Sequence, residues 1–235
     1  MKELTVKAKK VKPKKVKKKK YLRSLVKAIA ISPYLTARNL AAAESPTNFA
    51  DIGSGLLLTP EALARKISAV TGGNYTWAGP NSNSGLLGRH ELLYGGIDSR
   101  DIVVRTRDPN SMITGIQRRI ASQASCEQVA DHLRNGGTLF PIATETDVPT
   151  DSAGATRIQE NIQFLHRHLL GEDLAIDDAE VLATYQLFQD VRAQGDTAIP
   201  SGCRGGGAST DPNGTVLPWM AVVTYLLSDF SFLYQ

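Results

Sequence analysis

The sequence is poor in the residues that most directly announce chemistry. Two cysteines occur in 235 residues, Cys126 and Cys203, and neither belongs to a C-x-x-C pair. Zinc-ribbon, thioredoxin-like and covalent c-type haem signatures are therefore excluded. Spacing alone leaves two readings of the cysteines open: one disulfide in an exported chain, or two separate thiols in a cytosolic one. The four histidines, His90, His132, His166 and His168, show no H-E-x-x-H spacing. His166 and His168 are two apart, so on a helix they point to different faces and do not share a metal. They are expected to be partly exposed structural side chains.

Other absences narrow the field further. There is no G-x-G-x-x-G and no G-K-[ST], so neither a dinucleotide fingerprint nor a P-loop is present. The nearest approach to a nucleophile elbow, "DIGSGLL", places Ser54 between glycines, but it is not G-x-S-x-G and no strand precedes it. No run reaches the roughly 20 apolar residues that a membrane helix needs. The best, "VLPWMAVVTYLLSDFSFLY", is interrupted by Pro218 and Asp229, so no membrane span is expected. The early stretch "YLRSLVKAIAISPYLTA" carries Arg23 and Lys27, which makes it a poor hydrophobic region for a secretory signal. No period-2 strand pattern extends beyond a few residues, and no fixed-period repeat is present.

What the chain does have is a strong charge asymmetry. The first 20 residues hold 11 of the 27 basic residues and one of the 23 acidic ones, which leaves 16 against 22 over residues 21–235, a net of −6. Residues 1–20 read as a disordered, self-repelling arm. Lys9, Lys10, Lys14, Lys15, Lys17, Lys18, Lys19 and Lys20 are its candidate contacts to nucleic acid or another polyanion. Each such contact would release counterions, so binding would be salt-sensitive and indifferent to sequence. No aromatic residue precedes Tyr21, so base stacking has no support.

Beyond the arm, residues 21–235 read as a single helical domain. Leu22, Leu25, Val26, Ile29 and Ala30 share one face of a helix that Pro33 stops. "LLLTPEALARKISAVTGG" is the best helix signal. Thr59 is its N-cap, Pro60 its first position, and Gly72-Gly73 its end, with Leu63, Ile67 and Val70 inward. A short helix is expected at 99–106. A longer one opens at Pro109 and runs to about 134, with Met112, Ile113, Ile116, Ile120 and Ala124 on its buried face. Two more are expected over about 153–170 (Ile158, Ile162, Leu165, Leu169) and 177–194 (Val181, Leu182, Tyr185, Phe188). A last helix, about 216–233, is apolar on most sides and belongs at the centre of the core. The aromatics Tyr225, Phe230, Phe232 and Tyr234 are expected to pack there. The fold class is mostly α, an irregular bundle of about six or seven helices with long loops.

Two segments invite a functional reading. In "LLYGGIDSRD", Gly95, Gly96, Asp98, Ser99 and Asp101 compose a candidate binding loop. A calcium loop needs more oxygens at regular spacing than this stretch supplies. A turn explains more: Gly95 or Gly96 ends one helix, Asp98 or Ser99 caps the next, and Asp101 lies in its first turn. The glycine loop at 202–207 resembles a phosphate loop in composition alone. Cys126 lies within a predicted helix among small residues, where a packed or bonded cysteine is favoured over a nucleophile. No motif implies a cofactor or a metal, and the residues lean away from an enzyme.

Several stretches together resemble one family: "LVKAIAISPYL", "LLLTPEALARKISAVTG", "LLYGGIDSRDIVVRTRDPNSMITGIQRRIASQASC", "IQENIQFLHRHLLGE" and "PWMAVVTYLLSDFSFLYQ". They look like the C-terminal region of large uncharacterised exported bacterial proteins of planctomycete and myxobacterial type. Many of those carry a c-type cytochrome domain nearer the N-terminus. The resemblance covers roughly residues 21–235 in order and offers no catalytic residue to carry over. The Lys-rich arm and the missing C-x-x-C-H depart from the family pattern, so the chain looks like a free-standing or truncated C-terminal module. The resemblance implies an extracytoplasmic setting, a Cys126–Cys203 disulfide, and a c-type cytochrome or other envelope protein as partner. The alternative is a cytosolic protein that binds nucleic acid through its arm.

Overall fold

A computed structural model describes residues 57–73, 111–200, 203 and 210–233. Among these residues the chain is mostly α-helical and has no strand; an isolated antiparallel bridge joins Ala198 and Thr210. The expected helices at 21–32 and 99–106 lie outside the described residues.

The first helix, α1 (Pro60–Thr71), forms as its sequence dictates. The Thr59 hydroxyl accepts from the Ala62 amide at 3.2 Å, Pro60 starts the helix, and Gly72 closes it in the left-handed region at φ 69°. Leu63, Ala64 and Ile67 are buried, and Val70 only partly so.

Helix α2 (Ser111–Asn135) is the longest element. Ile113, Ile116, Ile120 and Ala124 face inward as expected, whereas Met112 is 56% exposed. Helical geometry explains the exception. Stepping back by fours from Ala124 drifts about 40° per step, which carries Met112 off the buried face and brings Gln117 onto it. Gln117 is indeed buried.

Helix α3 (Ser152–Leu165) is capped by Asp151, whose carboxylate accepts from the Gly154 amide at 2.9 Å. Its last turn widens into a π-turn, His166–Leu170, before Gly171 ends it. Ile158, Ile162, Leu165 and Leu169 are buried as expected.

Helix α4 (Ala179–Ala193) is capped by Asp178 and buries Val181 and Phe188. Leu182, expected on that face, is 44% exposed. It lies about 120° around the helix from Phe188, and Thr184 occupies the face instead.

The C-terminal segment is two helices, α5 (Val216–Leu227) and α6 (Phe230–Leu233), where a continuous one was expected. Asp229 makes the break: its carboxylate accepts from the Ser231 amide at 2.9 Å and the Ser231 hydroxyl at 2.7 Å. The carbonyls of Leu227 and Asp229 then take the Gln117 amide nitrogen at 3.3 and 3.1 Å.

Helix α5 lies at the centre, buried on nearly every side, as its all-round apolarity requires. It packs on α2, α4 and the π-turn. Gln117 meets Leu227 while Ser125 meets Thr224 at 2.6 Å, so α2 and α5 run antiparallel. Trp219 sits edge-on between Phe140 and Phe188, with ring centroids 5.0 Å from each. Of the terminal aromatics, Phe232 is fully buried, Tyr225 partly so, and Phe230 is exposed at the start of α6. Tyr234 lies outside the described residues.

Candidate functional site

Helix α2 presents Cys126 on its partly exposed flank, one residue beyond the Ser125–Thr224 hydrogen bond that anchors α2 to α5. Cys203 comes from the segment before α5, and its backbone amide donates to the Pro200 carbonyl at 2.8 Å. The two are joined in a disulfide spanning 77 positions, with Cα atoms 4.4 Å apart. Bonding removes both sulfurs as nucleophiles or metal ligands. The base of the Cys203 segment is closed by the Ala198–Thr210 bridge and by the Asp211 amide donating to the Thr197 carbonyl at 2.8 Å.

Asp211 then controls the entry into α5. One carboxylate oxygen accepts from the Val216 and Leu217 amides at 2.7 and 3.4 Å, and the other is buried without a partner. Arg134, at the end of α2, reaches the same corner. It binds Glu145 through two nitrogens at 2.9 and 3.0 Å and donates to the Thr210 carbonyl at 3.2 Å. Its hydrogen bond with Glu145 holds the guanidinium further above its ordinary value. The Thr215 hydroxyl donates to the Glu145 carbonyl at 2.7 Å. This corner is a helix-start brace built from charge.

The described region's closest approach to a catalytic constellation lies in the π-turn. His166 Nδ1 is 2.9 Å from a Glu172 carboxylate oxygen, and its Nε2 is 3.1 Å from the Thr184 hydroxyl. Hydroxyl, imidazole and carboxylate in line are the geometry of a base-activated nucleophile. Yet His166 is 0% and Thr184 1% exposed, so no substrate atom reaches the hydroxyl. What the array does achieve is full hydrogen bonding of a buried imidazole, fixing α4 against the widened end of α3. The expectation of partly exposed histidines is thus corrected for His166, and for His132, which is also buried. His168 is partly exposed, stacks on Phe164 and donates from Nε2 to the Val70 carbonyl at 2.7 Å. The two rings thus diverge, His166 toward Glu172 and Thr184 and His168 toward Val70. Among the described residues, no cluster of three or more metal-ligating side chains occurs.

The lysines of residues 1–20, the loop from Gly95 to Asp101, Ser54 and His90 lie outside the described residues. Of the candidates read from sequence, the structure therefore brings together Cys126 and Cys203. Sequence reasoning missed the His166–Glu172–Thr184 array, because its three residues lie in the π-turn, just beyond it and on α4, and meet only through the tertiary fold. It also missed Asp211, although the turn "DPNG" ahead of an apolar run was a readable helix-start signal. No helix among the described residues is long and apolar enough to cross a membrane. Comparison with protein-family models, with curated proteins and with solved structures finds no match.

Proposed function

We propose that the chain is a non-catalytic helical module of the cell envelope that supports or docks to a c-type cytochrome system. The observation that carries this reading is the Cys126–Cys203 disulfide. Such bonds persist in oxidising compartments and are rare where glutathione and thioredoxin keep thiols reduced. The resemblance of residues 21–235 to the C-terminal region of exported bacterial proteins points the same way. The buried state of the one hydroxyl–imidazole–carboxylate array weighs against a hydrolytic role for that array.

Intact mass of the native protein, with and without alkylation under non-reducing conditions, tests the compartment. Blocked thiols support it, and two alkylatable thiols overturn it. Cross-linking in intact cells followed by haem detection tests the partner; a haem-containing adduct is expected, and adducts free of haem reject the cytochrome reading.

A second reading rests on the 11 lysines of residues 1–20. In it the arm tethers the protein to nucleic acid or another polyanion. Affinity should then fall steeply with salt and vanish when residues 1–20 are deleted; unchanged affinity after that deletion removes this reading.

A further inference from the structure

Helix α1 and the residues before it form a strap across the other helices. Its apolar side inserts Leu57, Leu58, Leu63 and Ile67 into the core. Polar contacts tie both of its ends to other described residues. The Leu58 amide donates to the Leu233 carbonyl at 2.9 Å. The Lys66 ammonium donates to the Phe232 carbonyl at 2.8 Å and lies 4.5 Å from the centre of the Phe232 ring. At the far end, the Val70 carbonyl accepts from Thr138 at 3.3 Å and from His168 at 2.7 Å.

That far end abuts His132. The ring lies flat on Gly137, where a β-carbon would come within 2.4 Å of it, and a β-carbon on Gly72 would lie 3.9 Å from its Cε1. His132 is 8% exposed and its Nδ1 is buried with no hydrogen-bond partner. A neutral imidazole keeps one nitrogen free of a proton, but the charged ring carries an N–H on both. The charged ring therefore leaves a buried N–H with no acceptor, which disfavours protonation while the ring stays enclosed.

We propose that His132 is an acid-sensitive latch: its protonation frees the end of α1 and lifts the strap of residues 57–73 from a helical body that stays folded. The movable neighbour is α1, because His132 belongs to α2, which packs on α5 and is bonded to the C-terminal segment through Gln117 and Ser125. Lifting the Gly72 end admits water to Nδ1. Burial lowers the His132 pKa, and Asp131 beside it opposes this in part. The last turn of α1 and residues 136–138 bring no charged side chain. Across Val70 the π-turn brings His168, whose Nε2–H donates to the carbonyl in either charge state. Release uncovers the apolar face of α1 and the surface beneath it.

The test is amide hydrogen exchange on the full chain at pH 7.5 and pH 5, corrected for the intrinsic rate. Residues 57–73 should lose roughly tenfold or more in protection at pH 5, while α4 and α5 keep theirs. His132→Phe should abolish that loss, and His168→Gln should retain it. Equal protection at both pH values, simultaneous loss in α4 and α5, or loss that persists in His132→Phe overturns the latch. Should His132→Phe fail to fold, the His132 Cε1 resonance of the wild-type chain decides: titration below the ordinary histidine value supports the latch, and titration at or above it rejects it.

Discussion

Asp147 shows how one residue can hold a turn. Its carboxylate accepts from the Thr144 amide at 2.7 Å and the Thr144 hydroxyl at 3.0 Å, and it forms an ion pair with Arg157. Burial pushes its carboxyl up, but the hydrogen bonds from Arg157 and Thr144 outweigh this and leave it below the ordinary carboxylate value. The folded chain therefore binds that proton more weakly than the unfolded chain. The group stabilises the fold above the unfolded value near 4, and that contribution disappears as pH falls through the lower folded value. Asp147→Asn should flatten this part of the acid limb of stability, measured by urea midpoints between pH 2 and 5. An unchanged acid limb would show that the pair contributes nothing. Asp211 offers a second case. Asp211→Ala removes the acceptor for the Val216 and Leu217 amides, with an expected loss of about 1–2 kcal/mol in denaturant melts.

At the scale of elements, caps were legible in sequence and turns were not always. Thr59, Pro60 and Gly72 bound α1 as read, because capping depends on residues within one turn of each other. The π-turn at His166–Leu170 was not legible, and neither were the Glu172 and Thr184 partners of the His166 ring within it. Thr184→Val keeps the shape and removes one partner of a buried imidazole, and should cost about 1–3 kcal/mol. Combined with Glu172→Gln in a double-mutant cycle, it should show non-additive coupling; strict additivity would mean the array is not one unit. Gly154 tests a close approach: a β-carbon there would stand 2.6 Å from the Val148 carbonyl oxygen. Gly154→Ala should therefore destabilise by about 1–3 kcal/mol, seen as a lowered thermal midpoint.

For the molecule as a whole, the disulfide is the largest single covalent constraint on the described fold. It closes 77 positions of chain, and the loss of unfolded-state entropy on that scale stabilises by roughly 4 kcal/mol. Cys126→Ser with Cys203→Ser should lower stability by about that amount and leave far-ultraviolet circular dichroism unchanged at low denaturant. The reduced wild-type chain should match the double variant; a mismatch would show that the serines perturb packing by themselves.

The sequence by itself determined most of the helical segments of the described chain, though not the break at Asp229 or the π-turn, as well as where α1 begins and ends and that α5 lies at the centre. These follow from local chemistry: caps within a turn, periodic apolar residues, and a helix apolar all round. Only the tertiary structure decided that Cys126 meets Cys203 and that His166 is buried between Glu172 and Thr184. The physical reason is common to them. Each depends on which residues distant in the chain meet across a packed interface, and periodicity within one element carries no information about its neighbour.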